Sequence, residues 1–459
     1  MLDRFFKPTN ATTLSLFRIL FGALMLYQLI YYFRLDYTFQ FMAGPEFLFS
    51  YPYSSFFVTL PEGVLKGIHF GLILSTVMII FGWFYRAAMI FFFLGITYFS
   101  FIDKTLYNNH LYLLSLISLV MIFMEADAKY SVQSKNKDTV PIWNVWLLQF
   151  LLVLVYSYGA LAKLSPDWLN GNIPAVMIEE GNVGMLSFLP ENVLLELLTY
   201  GGLVYDLLIG FILLWKPTRW IGLALVILFN MTNASLLFDD IGVFPYFMIC
   251  ATILFFDPQA VDNLINRLMP VKRSETKKAK KKQAKKAEQK IERSAAIPGT
   301  SAKYQKVTGI CIALFVVFQL VWPFRSHLFT NNPEWTGHGS RFAWRMKMQS
   351  KKVTSFKMVV TDGPNGTPTE INHRSFLSVN QLKHLVDDPF LLVQFAKYLK
   401  QKAIREGMAK DPIVKATVMV VFNKRPAQLF IDPNVDLTKV EESPWADYDW
   451  IMPLQEDLN

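Results

Sequence analysis

Cysteine is almost missing from this chain, with only Cys250 and Cys311 among 459 residues. A disulfide framework is therefore excluded, and because both lie inside apolar runs they read as packing residues. No Cys/His spacing suggests zinc, no glycine-rich loop is placed to cradle a phosphate, and no nucleophile elbow occurs. A small-residue cleavage pattern is also missing after the short Met1-Leu2-Asp3-Arg4 start. The first apolar run thus reads as a retained span, not a signal peptide, and no targeting motif names an organelle.

Apolar residues are abundant: 53% of the chain is hydrophobic and 15% aromatic, with 40 phenylalanines and a positive mean hydropathy. They are bunched into runs with few charges, and a run of about 20 such residues crosses a bilayer as a helix. Candidate spans fall at 13–33, 64–84, 87–102, 110–124, 142–163, 193–215, 218–237, 241–256 and 307–323. The expected fold is an α-helical polytopic membrane domain of nine helices followed by a small α+β outer domain. Its parts would be a membrane domain at 1–256, a basic loop at 257–306, a last helix at 307–323 and an extracytoplasmic domain at 324–459.

The net charge of +9 does not point to nucleic acid, because one loop carries it. Between Asp257 and Lys306 there are 14 Lys and Arg against 5 Asp and Glu, so this segment accounts for the whole excess. Its core at 277–286 is low-complexity and solvated, suited to the anionic lipid of a cytoplasmic membrane face. Placing it inside puts the N-terminus and the loops with Arg86, 125–139 and Lys216-Arg219 in the cytoplasm, and the C-terminal domain outside.

In the outer domain, 352–361 reads as a strand, Asp362-Gly363-Pro364-Asn365-Gly366 as a turn, and 381–407 as one or two helices broken near Pro389. A strand pair is expected at 413–423 and 427–432.

Polar residues at the outer ends of the spans are costly there and tend to be functional or paired. Three loops converge on this face: Asp103 to His110, Lys163 to Trp168, and Asp239-Asp240-Ile241-Gly242. Each has a plain structural alternative. Lys163 could snorkel to the headgroups beside Trp168, and Asn109 and His110 could cap the fourth span. Asp206 lies about 20 Å into the sixth span at helical rise and needs a buried partner. Arg18 in the first span and a residue of the polar cluster are both candidates.

Asp103-Lys104-Thr105 with Asn108-Asn109-His110, and Lys163-Leu164 with Asp167-Trp168, resemble the DKT-x-x-NNH and KL-x-x-DW signatures of the vitamin K-dependent gamma-carboxylase family, whose membrane part is of the HTTM type. The likeness continues through Leu14 to Gly22, Asp206-Leu207, Ile241-Gly242, Trp344 and Phe430 to Asp436.

The resemblance implies a peptidyl-glutamate carboxylase. Vitamin K hydroquinone is deprotonated, reacts with dioxygen to give a strongly basic alkoxide, and leaves as the epoxide. The alkoxide takes the γ-proton of a protein glutamate, which adds carbon dioxide, with no metal, biotin or ATP. On the motif match Lys163 would deprotonate the hydroquinone, helped by an apolar surrounding that favours its neutral amine. His110 and Asn109 would stabilise the oxygen intermediate. Trp344 would lie near the glutamate, and Arg341 and Arg345 would offer forks to its carboxylate, unless they are only a juxtamembrane basic patch. Asp167 and Trp168 complete the motif on the substrate side.

Three positions depart from animal members: Ala162 stands where a second lysine precedes the base, Asn230 replaces a histidine, and Gln349 replaces another. The short chain matches a bacterial or divergent member, in the cell membrane of a bacterium or the endoplasmic reticulum membrane of a eukaryote. Its partners would be a glutamate-containing protein, membrane lipid and a quinone-reducing system. The rivals are a quinol epoxidase without a peptide substrate and a non-catalytic membrane module.

Overall fold

The computed structural model of the chain describes residues 2–52, 57–133, 137–181, 183–186, 188–237, 241–268, 301–329, 332–443 and 448–456. The lysine-rich core at 277–286 and the pair Asp239-Asp240 lie outside them.

Long apolar runs become helices because every backbone polar group must find its partner within the segment when lipid surrounds it. Besides short connecting helices, eight apolar helices follow one another: α1 (Thr12–Arg34), α2 (Glu62–Phe81), α3 (Tyr85–Phe101), α4 (Asn109–Phe123), α5 (Trp143–Ala162), α6 (Gly202–Leu214), α7 (Arg219–Thr232) and α8 (Phe244–Ala251). Each packs on the next in sequence, and α8 returns to α1, so they close a ring. Tight turns keep neighbours antiparallel; α2 ends on Gly82 at φ 64° and α3 begins directly after Phe84 at φ 42°. α9 (Pro258–Leu268) follows α8 across a sharp bend, and α10 (Ala302–Val321) leads to the outer domain.

Five helical stretches are long and apolar enough to cross a membrane: Thr12–Arg34, Glu62–Phe81, Trp143–Ala162, Glu191–Leu214 and Ala302–Leu328. Phe244–Phe255 and Pro258–Leu268 would make a sixth if taken as one span, but they meet at 109°. The remaining apolar runs form shorter helices, including α3 and α4 with 17 and 15 residues. Hydropathy alone counts apolar runs; it does not register the proline and π-turns that shorten or bend the helices they form.

The outer domain pairs β3 (Lys351–Asp362) with β5 (Pro412–Phe422) in a four-stranded antiparallel sheet, flanked by β4 (Thr369–Glu370) and β6 (Gln428–Leu429) in the order β4-β3-β5-β6. (β1, Pro8–Asn10, and β2, Thr139–Pro141, form a small ribbon at the other end of the chain's helical part.) Along β5 every second residue is buried, the period of a strand with one face on a core. α11 (Val379–His384) and α12 (Pro389–Arg405) are separate helices, with Pro389 starting the second, and α12 lays Leu391, Leu392 and Phe395 against Val418 and Phe422. The strand expected at 427–432 is shorter, because beyond Leu429 the chain instead bridges to the C-terminal segment at Ile431 and Ile451.

Candidate active site

Tyr156, Gly159 and Lys163 follow one face of α5 at helical spacing, and Gly202 and Asp206 follow the facing side of α6. Gly159 permits the meeting: a Cβ there would lie 3.0 Å from Asp206 Oδ2. Lys163 Nζ donates to Asp206 Oδ2 at 2.5 Å, and both side chains are buried, 9% and 5% exposed. The partner of Asp206 is therefore Lys163. Arg18, the other candidate, instead donates to the Tyr130 carbonyl at 2.5 Å beside Gly82. Lys163 does not snorkel either. Its ammonium stays inside, 4.8 Å from the ring centre of Trp168, whose indole N–H donates to the Thr199 carbonyl.

Around the pair the polar lining continues inward. The rings of Tyr156 and Tyr205 meet edge to face at 5.8 Å, within electrostatic reach of Asp206, and the buried Asn230 of α7 lies beside Tyr156 while donating to the Val226 carbonyl. Over the outer ends of α4 and α5 runs the segment 341–349. Phe342 packs on Phe101 and Tyr107, Trp344 on Tyr112 with 4.7 Å between ring centres, and Met348 clusters with Ala162, Trp168 and Ile173. Phe342, Trp344 and Lys347 all have left-handed backbone, at φ 57°, 59° and 53°. Non-glycine residues pay for that conformation with strain, which persists where surrounding packing enforces it and gathers at functional sites. Trp344 Nε1 and Gln349 Oε1 are buried with no hydrogen-bond partner among the described residues.

His110 stands on the first turn of α4, stacked on Phe244 at 3.8 Å between ring centres. Asn109 accepts from the Tyr107 hydroxyl, which in turn accepts from the Phe342 N–H at 2.6 Å. The cap of α4 is neither of them but Asn108, whose side chain accepts from Leu111 N–H.

Several motif residues have a mechanical task that sequence could not announce. Asp167 is grasped by the two terminal guanidinium nitrogens of Arg425, at 3.0 and 2.7 Å, and by Asn423 at 2.7 Å, so the acidic residue of the KL-x-x-DW motif clamps the turn after β5 onto the membrane domain. Asp103 accepts from Thr105, from the Phe49 N–H and from Gln381 of α11. Lys104 pairs with Glu442 and, at 3.5 Å, with Asp388. Arg341 is paired with Asp388 and Arg345 with Glu334, so both expected carboxylate forks are engaged by carboxylates of the outer domain itself. Burial opposes ionisation of Asp388, yet Lys104, Arg341 and the Phe390 N–H hold its carboxyl down at about 2. No group of His, Cys, Asp and Glu able to hold a metal occurs among the described residues.

A ring of apolar helices with a buried ion pair at one end, roofed by an α+β domain that two polar clamps hold in place, defines a membrane protein with an internal polar site. The family model described as the HTTM domain matches residues 6–259, and that described as the vitamin K-dependent gamma-carboxylase lumenal domain matches residues 304–457. The chain belongs to the vitamin K-dependent gamma-carboxylase family. No solved structure matches it.

Proposed function

We propose that the chain carboxylates protein-bound glutamate to γ-carboxyglutamate, coupled to oxidation of vitamin K hydroquinone by dioxygen to the epoxide, with Lys163 receiving the hydroquinone proton. The observation that carries this is the buried Lys163–Asp206 pair beneath the strained segment 341–349, in a chain matched by both family models. The hydroquinone, drawn from lipid, supplies the reducing equivalents and the strong base; carbon dioxide supplies the carboxyl.

The residues present fit a phenolic group. Trp344 Nε1 is a buried donor and Gln349 Oε1 a buried acceptor with no partner among the described residues, while Met346, Met348 and Trp168 offer polarisable apolar surface. Lys163 would face the acidic hydroxyl, and His110 and Asn109, at the end of the neighbouring helix α4, would orient the oxygen side. Trp344 would separate the quinol from the glutamate arriving through the outer domain. In this reading the membrane domain at 1–256, the basic loop at 257–306, the last helix at 307–323 and the outer domain at 324–459 make one enzyme with nine membrane helices, the bilayer thinning around the short ones. The N-terminus and basic loop face the cytoplasm, the roof faces outward, and a separate quinone-reducing system regenerates the hydroquinone.

A second reading, quinol epoxidation without a peptide substrate, is favoured by one observation: Arg341 and Arg345 already hold Asp388 and Glu334, so neither presents an idle fork to a substrate carboxylate. Purified protein in nanodiscs with vitamin K hydroquinone, oxygen, labelled bicarbonate and a glutamate peptide separates the two. Label in peptide together with epoxide supports the carboxylase; epoxide alone supports the second reading.

A further inference from the structure

Lys163 Nζ and Asp206 Oδ2 lie 2.5 Å apart with both side chains buried, and in such a pair written as ammonium and carboxylate the lysine nitrogen has no lone pair to offer. The ion-paired form leaves no place for a simple picture in which a desolvated, neutral Lys163 amine takes the hydroquinone proton. It also supplies the remedy, because one N–H of Lys163 is already aimed at Asp206 Oδ2.

We propose that Asp206 is the final proton acceptor and acts through Lys163, which relays the proton and remains an ammonium. This rests on the assignment of Lys163 to the hydroquinone. In one concerted step the N–H facing Asp206 breaks as an O–H forms on Oδ2, and the nitrogen electron pair so freed takes the hydroquinone proton as the hydroxyl O–H breaks. One proton moves from hydroquinone oxygen to carboxylate oxygen, and no electron is transferred.

The charge arithmetic favours this route in a site of low dielectric. A lone neutral amine would create an ammonium and an anion where there was no charge, whereas the relay begins with an ammonium–carboxylate pair and ends with an ammonium–anion pair. Charge is handed from Asp206 to the substrate oxygen without a new separation. Gly159 and Gly202 bring α5 and α6 close enough for it, since a Cβ at Gly202 would lie 3.8 Å from Lys163 Cε and one at Gly159 would crowd Oδ2. The titratable groups facing Asp206 are Lys163 and Tyr156 from α5 and Tyr205 on its own helix, with Asn230 from α7 as a neutral polar neighbour. Neither tyrosine competes for the proton at neutral pH, because phenols are already protonated there.

The test compares Asp206→Asn, Asp206→Glu and Lys163→Ala in nanodiscs, with size exclusion to confirm folding. Two readouts are taken: the pH profile of epoxide formation, and, without oxygen, the infrared carboxylic-acid band and hydroquinone-anion absorbance that appear when hydroquinone is added. The relay gives a protonated-carboxyl band in the native protein that is absent in Asp206→Asn and displaced in Asp206→Glu. Epoxide formation by Asp206→Asn falls by about 100-fold or more at neutral pH and recovers as pH approaches the hydroquinone's own ionisation, while Asp206→Glu retains partial activity. Activity of Asp206→Asn within threefold of native, with Lys163→Ala inactive, overturns the relay and leaves Lys163 as the base. Absence of any new carboxylic-acid band in the native protein overturns it too, whether or not Asp206→Asn folds. Full activity in Lys163→Ala overturns the underlying functional assignment instead.

Discussion

Replacing Arg425 by methionine isolates the clamp between the two parts of the molecule. The side chain keeps its apolar length against Phe422 but removes two hydrogen bonds, at 3.0 and 2.7 Å, from the buried carboxylate of Asp167. Breaking one side of a buried ion pair costs about 3–5 kcal/mol, because a charge is left without compensation. Here Asn423 at 2.7 Å and Asn172 at 3.3 Å still donate to Asp167, which places the cost near the lower end, about 3 kcal/mol. At about 1.4 kcal/mol per decade this is roughly a hundredfold rise in the undocked population of the turn. Hydrogen exchange by mass spectrometry, in nanodiscs, reads it directly: amides of β5 and β6 should exchange about a hundredfold faster while those of α1 to α5 are unchanged. Adding Asp167→Asn to the same chain should recover much of the loss, since no buried charge then remains. Exchange within threefold of native in Arg425→Met would refute the clamp, and failure of the double variant to recover would refute its electrostatic origin.

Other expectations follow from single contacts. Gly159→Ala would gain about 1 kcal/mol in an open helix, but its Cβ would sit 3.0 Å from Asp206 Oδ2, so thermal stability should not rise and epoxide formation should fall several-fold. Trp344→Phe removes the buried indole N–H and keeps ring packing on Tyr112; the KM for hydroquinone should rise with little change in melting temperature, whereas an equal loss in both would make Trp344 a packing residue. The Asp388 carboxyl, lower in the folded than in the unfolded chain, contributes stability that is fully present above about pH 4 and lost as pH falls toward 2; acid unfolding of the outer domain should shift to higher pH when Lys104 is replaced by methionine. Buried Lys351, which donates to the Trp335 and Val386 carbonyls, is pushed down to about 8 by burial. The unfolded chain binds the extra proton between about pH 8 and 10.4, so stability should increase with pH across that window and Lys351→Met should flatten the rise.

Much of this architecture was legible from residue pattern. Apolar runs marked the helices α1 to α8, alternation marked β5, and the DKT-x-x-NNH and KL-x-x-DW spacings brought Lys163 to attention. Partners were not legible, because they lie far off in sequence: Asp206 is 43 positions from Lys163, and Arg425 is 258 from Asp167. Nor could residue types reveal that Asp103, Lys104 and Asp167 hold the roof in place, since a clamp and a binding group use the same chemistry. The left-handed backbone at Phe342, Trp344 and Lys347 escaped for a different reason: glycine is the usual marker of that conformation, and packing on Phe101, Tyr107 and Tyr112 imposes it here on residues that disfavour it.

The most direct measurement follows labelled bicarbonate into a glutamate peptide and quinone epoxide in parallel, using native protein and Lys163→Ala in nanodiscs supplied with vitamin K hydroquinone and oxygen. Both products from the native protein and neither from folded Lys163→Ala is the expected result. Neither product from folded native protein with several quinols and peptides, or both products undiminished in Lys163→Ala, would contradict it.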